Sequence, residues 1–139
     1  MLDRDSVLTI IDDAYAARAR GDKDALARYW AQDASFRISA DPAPFQNLTF
    51  ETDEPMSAIS DLIDRFEFSD LERRDAIVEG NRAAIRWEVS ITVAGRGTIR
   101  TELMDLIELD DDRRIRSLVQ FADSAAVLNL MQGDAVPAD

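Results

Sequence analysis

In the stretch "TELMDLIEL", Thr101 to Leu109, hydrophobic and polar positions alternate. The odd set is Thr101, Leu103, Asp105, Ile107 and Leu109; the even set is Glu102, Met104, Leu106 and Glu108. Alternate residues of a strand face opposite sides, so the pattern predicts a strand whose apolar face carries one carboxylate. A buried ionised carboxylate is costly unless it is paired or hydrogen-bonded. Asp105 is therefore the first candidate for chemistry, and three readings of it stay open: a catalytic acid, a structural hydrogen-bonder, or a polar group at the open end of a pocket.

The rest of the chain supplies the frame. Val7, Leu8, Ile11, Ala14, Tyr15 and Arg18 follow helical spacing and predict a helix from about Asp5 to Arg20, capped by Asp3 or Asp5 and stopped by Gly21. Asp22 caps a second predicted helix, Lys23 to about Ala31, with Ala25, Leu26, Tyr29 and Trp30 on one side. Phe36 and Ile38 alternate with Ser35, Arg37 and Ser39 in a short strand. A proline-broken loop follows, with a short strand expected around Leu48 to Glu51. Pro55 marks a third helix whose buried face is Ala58, Ile59, Leu62, Ile63 and Phe66. Strands are then expected at Ser69–Glu79, Arg82–Val93, Thr98–Leu109 and Arg113–Ala122, and a last helix at Ser124–Gln132. In the second of these strands, Ala83, Ile85, Trp87, Val89, Ile91 and Val93 face one way and Arg86 and Glu88 the other. One of Arg73 or Arg74 must face the sheet's inner side, near a pocket mouth or in an edge salt bridge.

Helices first and a long antiparallel meander after is an α+β pattern. The early helices are the available cover for the apolar face of the sheet. A long, twisted sheet outruns that cover, and the remainder becomes a pocket open at one end. Residues 1–132 are expected to form one domain, with 133–139 a frayed tail.

Charge and composition narrow the chemistry. A net charge of −12 repels nucleic acid and anionic membrane surfaces. The acidic, immediately charged N-terminus is unlike a signal peptide, and a cytoplasmic protein is expected. The sequence holds no cysteine and no histidine, which removes thiolate nucleophiles, zinc–thiolate sites and the usual general base near neutral pH. Acid–base chemistry is left to Asp, Glu, Tyr, Lys or water. "DDDRR", Asp110 to Arg114, lacks the spacing and central glycine of a calcium loop and reads as a hairpin turn. No metal and no cofactor is expected. The outer sheet face offers Arg86, Glu88, Arg100, Glu102, Met104 and Leu106, a mixed surface suited to a homodimer.

"AYAARARGDKDALARYWAQDASFRI", "VEGNRAAIRWEV" and "MDLIELDDDRRIRSLVQFAD" occur in an order and spacing that resembles the nuclear transport factor 2-like superfamily. That superfamily includes ketosteroid isomerases and SnoaL-like polyketide cyclases. The resemblance implies a cystatin-like cone: a curved antiparallel sheet wrapped around N-terminal helices, usually dimeric, with the ligand inside. Ketosteroid isomerases use a carboxylate base, a tyrosine and a protonated aspartic acid, the last two binding an oxyanion. By alignment of these stretches the aspartic acid falls on Asp105, the tyrosine on Ala14 with Tyr15 adjacent, and the base on Ile38. The resemblance thus implies one of the three groups. The Asp–His pair of SnoaL-like cyclases and the histidines of scytalone dehydratases have no counterpart here. The Asp–Arg–Asp set of limonene epoxide hydrolases has none either: its last aspartate falls on Gln120.

The expected function is a pocket protein that binds a small, largely apolar ligand. The expected lining is Tyr15, Trp30, Phe36, Ile38, Ile59, Ile63, Trp87, Leu103 and Gln120, with Trp87 or Ile85 across the ladder from Asp105. Two alternatives stand beside it: a cofactor-independent lyase or isomerase with Asp105 as acid or oxyanion donor, and a dimeric interaction module with a vestigial pocket.

Overall fold

A computed structural model describes residues 2–41, 43 and 51–132. The elements are α1 (Arg4–Arg20), α2 (Lys23–Ala27), β1 (Trp30–Ser39), β2 (Glu51–Thr52), α3 (Pro55–Arg65), β3 (Glu67–Glu79), β4 (Arg82–Val93), β5 (Gly97–Leu109), β6 (Ile115–Ala122) and α4 (Ser124–Gln132). Most of the expected strand Leu48–Glu51 and all of the tail 133–139 lie outside the described residues.

Local chemistry sets the helix ends. The Asp3 side chain accepts from the Ser6 backbone N–H at the start of α1. At its end, Gly21 takes φ 70°, and the N–H groups of Gly21 and Asp22 close on the Arg18 and Ala17 carbonyls. Asp22 then caps α2 through the Ala25 N–H. α2 stops at Ala27, four residues short of the expected end, and Trp30 opens a strand instead. Sheet pairing overrides the helical spacing there: the Ile115 N–H donates to the Tyr29 carbonyl at 2.6 Å, and Trp30 pairs with Ile115.

The strands form one six-stranded sheet in the order β2-β1-β6-β5-β4-β3. From β3 to β6 it is the expected antiparallel meander. β1 joins the meander's edge parallel to β6. Parallel neighbours need a long crossover, and here that crossover is most of the domain. β3 carries register shifts between Ser69 and Glu72 and between Arg73 and Asp75, with Asp70 at φ 47°. Such bulges bend a strand and curve the sheet.

α1 and α3 cover the concave face. Val7, Leu8, Ile11, Ala14 and Tyr15 of α1 and Ala58, Ile59 and Leu62 of α3 are buried in one core with Ile85, Trp87 and Val89 of β4 and Leu103 and Ile107 of β5. The convex face is polar, with Arg74, Arg86 and Arg100 bridging Glu72, Asp75, Glu88 and Glu102. The bulges decide between the two arginines of β3. Arg73 turns inward to the Asp12 carboxylate of α1, at 2.8 and 3.1 Å, and Arg74 turns outward to Glu88.

Candidate functional site

β5 alternation carries Asp105 to the concave face, where it is 0% exposed. Its ladder partners are Ile85 on β4 and Gln120 on β6. Trp87, two residues along β4 on the same face, reaches across, and its indole Nε1–H donates to Asp105 Oδ2 at 2.9 Å. Tyr15 lies four residues after Ile11 on α1, so it faces the sheet. Its hydroxyl donates to the same Oδ2 in a close contact and accepts from Gln120 Nε2 at 3.2 Å. The Tyr15 ring stacks on Trp87, with centroids 4.3 Å apart and planes inclined by 26°. Asp105 Oδ1 is buried without a hydrogen-bond partner among the described residues.

The electrostatics follow from this enclosure. Burial pushes the Asp105 carboxyl up to about 6, against the downward pull of the Tyr15, Gln120 and Trp87 donors. Burial, together with the negative charge and hydrogen bond of Asp105, holds the Tyr15 hydroxyl well above its ordinary range, so it stays a donor. The site therefore contains a carboxyl that changes charge near pH 6 with only neutral groups hydrogen-bonded to it.

Beside this cluster lies an internal cavity of about 70 Å³, counted as the space open to the centre of a water-sized molecule. One water needs roughly 10–15 Å³ on such a measure, so a small organic molecule fits. Trp30, Phe36, Ile38, Ile59 and Leu103 form its apolar wall, and Tyr15 and Gln120 give it a polar end. Two expected lining residues lie elsewhere. Trp87 packs behind Tyr15 and holds the carboxylate rather than bordering the cavity. Ile63 borders an outer cleft beside Gly21, because Ile59 and Leu62 already occupy the inward positions of α3. Asp105 itself also sits behind the wall, so Tyr15 is the group that faces the cavity.

The residue count along α1 also needs correction. Ala14 lines the cavity, but the hydroxyl that meets Asp105 comes from Tyr15, one position on and rotated by about 100° around the helix. A tyrosine hydroxyl and an aspartic acid are thus together, and Ile38 is apolar wall. Arg18, which its helical spacing turns inward, joins the lining that the sequence predicts. It is 9% exposed and borders the cavity. Its Nη2 donates to the Phe66 carbonyl at 2.8 Å and the Leu62 carbonyl at 3.4 Å, and its guanidinium lies 3.7 Å from the centroid of the Phe68 ring. Burial lowers it to about 10.

Among the described residues, no group of acidic side chains is placed to hold a metal ion, and no helix is long and apolar enough to cross a membrane. No curated protein matches the chain by sequence. Solved structures match its fold closely at low identity. A Bacillus subtilis protein provisionally called an isomerase superposes with a TM-score of 0.80 at 13% identity, over 99% of this chain and 100% of that one. A nuclear transport factor 2-like protein of unknown function from Burkholderia pseudomallei gives 0.78 at 16%, over 92% and 98%. An LEH-like epoxide hydrolase from M. tuberculosis gives 0.70 at 11%, over 92% and 91%. The family model for the SnoaL-like domain matches residues 11–118, and with helices backing a curved, open sheet around a cavity, the chain belongs to the SnoaL-like family with a nuclear transport factor 2-like fold.

Proposed function

We propose that the cavity binds a small, largely apolar molecule bearing a hydrogen-bond acceptor such as a carbonyl, with Tyr15 and Gln120 as its polar contacts. One observation carries this reading: an otherwise apolar cavity ends on a tyrosine hydroxyl that is backed by a fully buried carboxyl. Most small-molecule sites have this composition, apolar walls with a few placed polar groups. When Asp105 is protonated, its own O–H can donate to the Tyr15 oxygen, which frees the Tyr15 proton for the ligand. Cyclohexanone is a suitable probe. It is expected to bind more tightly at pH 5 than at pH 8, and Tyr15→Phe to weaken it about tenfold. Equal binding of cyclohexanone and cyclohexane would contradict the polar contacts, and absence of binding by either would contradict the pocket.

A second reading, an isomerase or lyase with Asp105 as acid or oxyanion donor, is favoured by the Tyr15–Asp105 hydrogen bond. The isomerase and epoxide hydrolase names borne by fold neighbours are compatible with it. Deuterium exchange at the α-carbon of cyclohexanone in D2O separates the two readings. Acceleration by the protein that is lost in Asp105→Asn supports catalysis, and the solvent rate supports binding alone.

The convex face supports a homodimer. Met104, Leu106 and Phe121 are 38%, 47% and 39% exposed there, an apolar patch beside the network of ion pairs. Sedimentation at micromolar concentration should give a dimer that Leu106→Glu converts to monomer; a wild-type monomer would contradict this.

A further inference from the structure

Arg18 is the charged side chain in the cavity wall, and its charge is only partly answered. It reaches two carbonyls at the C-terminal end of α3 and the face of Phe68. A helix C-terminus presents roughly half a negative charge, against a full positive one on the guanidinium. No carboxylate among the described residues contributes to holding it charged, and the Tyr15 hydroxyl beside it stays protonated and neutral. Both carbonyl bonds use Nη2; Nε and Nη1 make no hydrogen bond among the described residues and are not sealed from solvent, so they are open to an incoming acceptor.

A second open donor lies in the same wall. Trp30 Nε1 is buried and has no acceptor among the described residues. Buried N–H groups are nearly always paired, and the exceptions call for an explanation. A cation with free donors and an unpaired indole N–H both ask for an acceptor, and a negatively charged one answers the guanidinium as well. Arg18 and Phe68 also border the outer cleft that contains Gly21 and Ile63, so Arg18 stands between the cavity and the surface. Tyr15 is three residues earlier on the same helix face. A short molecule can therefore reach both.

We infer that the ligand is a small, largely apolar carboxylic acid, bound as its anion with the carboxylate on Arg18 at the cavity mouth and its body along the Trp30, Phe36 and Ile38 wall, which leaves Tyr15 and Gln120 to an acceptor at its far end. This rests on the cavity-binding reading above and specifies its ligand class. Charge-assisted hydrogen bonds are roughly twice as strong as neutral ones, so an acid is distinguished from its amide.

Calorimetric titration of the full chain with cyclohexanecarboxylate and cyclohexanecarboxamide tests the assignment, with cyclohexanone as the neutral control. The carboxylate should bind about tenfold more tightly than the amide. Arg18→Met should abolish that preference, and Arg18→Lys should restore part of it. A purely structural Arg18 would weaken acid and amide alike and leave their ratio intact, which would overturn the inference. Equal wild-type affinities would overturn it too, and if cyclohexanone still bound, the cavity reading would stand. Failure of all three probes would overturn both. Should Arg18→Met not fold, the side-chain Nε–H resonance of wild-type Arg18 decides. It should shift with the carboxylate and not with the amide, and an unmoved resonance would count against the inference.

Discussion

Asp105 and Glu88 sit on adjacent strands and on opposite faces of one sheet, and their carboxyls move in opposite directions. Glu88, on the convex face, receives Arg100 at 2.8 Å and Arg74 at 3.0 Å, and those cations hold it below the usual carboxylate range. Asp105, on the concave face, receives a phenol and an indole, neither of them charged, and burial pushes it up to about 6. Hydrogen bonds alone do not reverse the cost of removing a carboxylate from water; here the phenol and the indole reduce the upward shift without cancelling it. The convex carboxylate serves surface cohesion. The concave one is held at some cost to stability, which is the usual mark of a site kept for binding or chemistry.

The largest expected difference between the two faces is in their pH dependence. Asp105 has a higher pKa folded than unfolded, so the folded state binds more protons between about pH 4 and 6. Its contribution to stability is greatest below the unfolded value and falls as pH rises through about 6. Relative to Asp105→Asn, the wild type should lose about 2 kcal/mol between pH 4 and pH 8 in urea denaturation. A flat difference would erase the contrast between the faces. Glu88 runs the other way: its contribution is present above the unfolded pKa and disappears as pH falls through the lower, folded one.

Next in size is Tyr15→Phe. It removes the strongest donor opposing the burial shift of Asp105 and should cost about 1–2 kcal/mol at pH 7 while moving the Asp105 midpoint upward. A midpoint that moves downward would show that Tyr15 favours the neutral acid instead. Smallest is Glu88→Gln, which should barely change the urea midpoint, and any change should shrink in 1 M salt because exposed ion pairs are screened. A large, salt-insensitive loss would place the convex network in a far less hydrated setting than its exposure indicates.

Much of this contrast was legible in the alternation of β4 and β5. Asp105, Leu103 and Ile107 on one face and Glu102, Met104 and Leu106 on the other need only the two-residue period of a strand. The ends of β4 and α4 were equally legible, because turn residues and Asp123 bracket them. Failures occurred where tertiary contacts outweigh local pattern. Trp30 has helical spacing but is drawn into a strand by β6. Bulges, not spacing, decide which of Arg73 and Arg74 turns inward. Periodicity places Tyr15 inward, yet its bond to Asp105 joins residues 90 positions apart and has no local signal. Arg18 has the same inward spacing, and nothing in the sequence shows that its partners are carbonyls and a ring rather than a carboxylate.

Burial, and no neighbouring charge, governs the carboxyl behind Tyr15. The most direct measurement is the titration of the Asp105 side-chain carboxyl carbon by NMR in the unliganded protein. A midpoint near 6 is predicted, well above the ordinary 3.8. A midpoint at or below 3.8 would mean that the donors outweigh burial, and would contradict the claim.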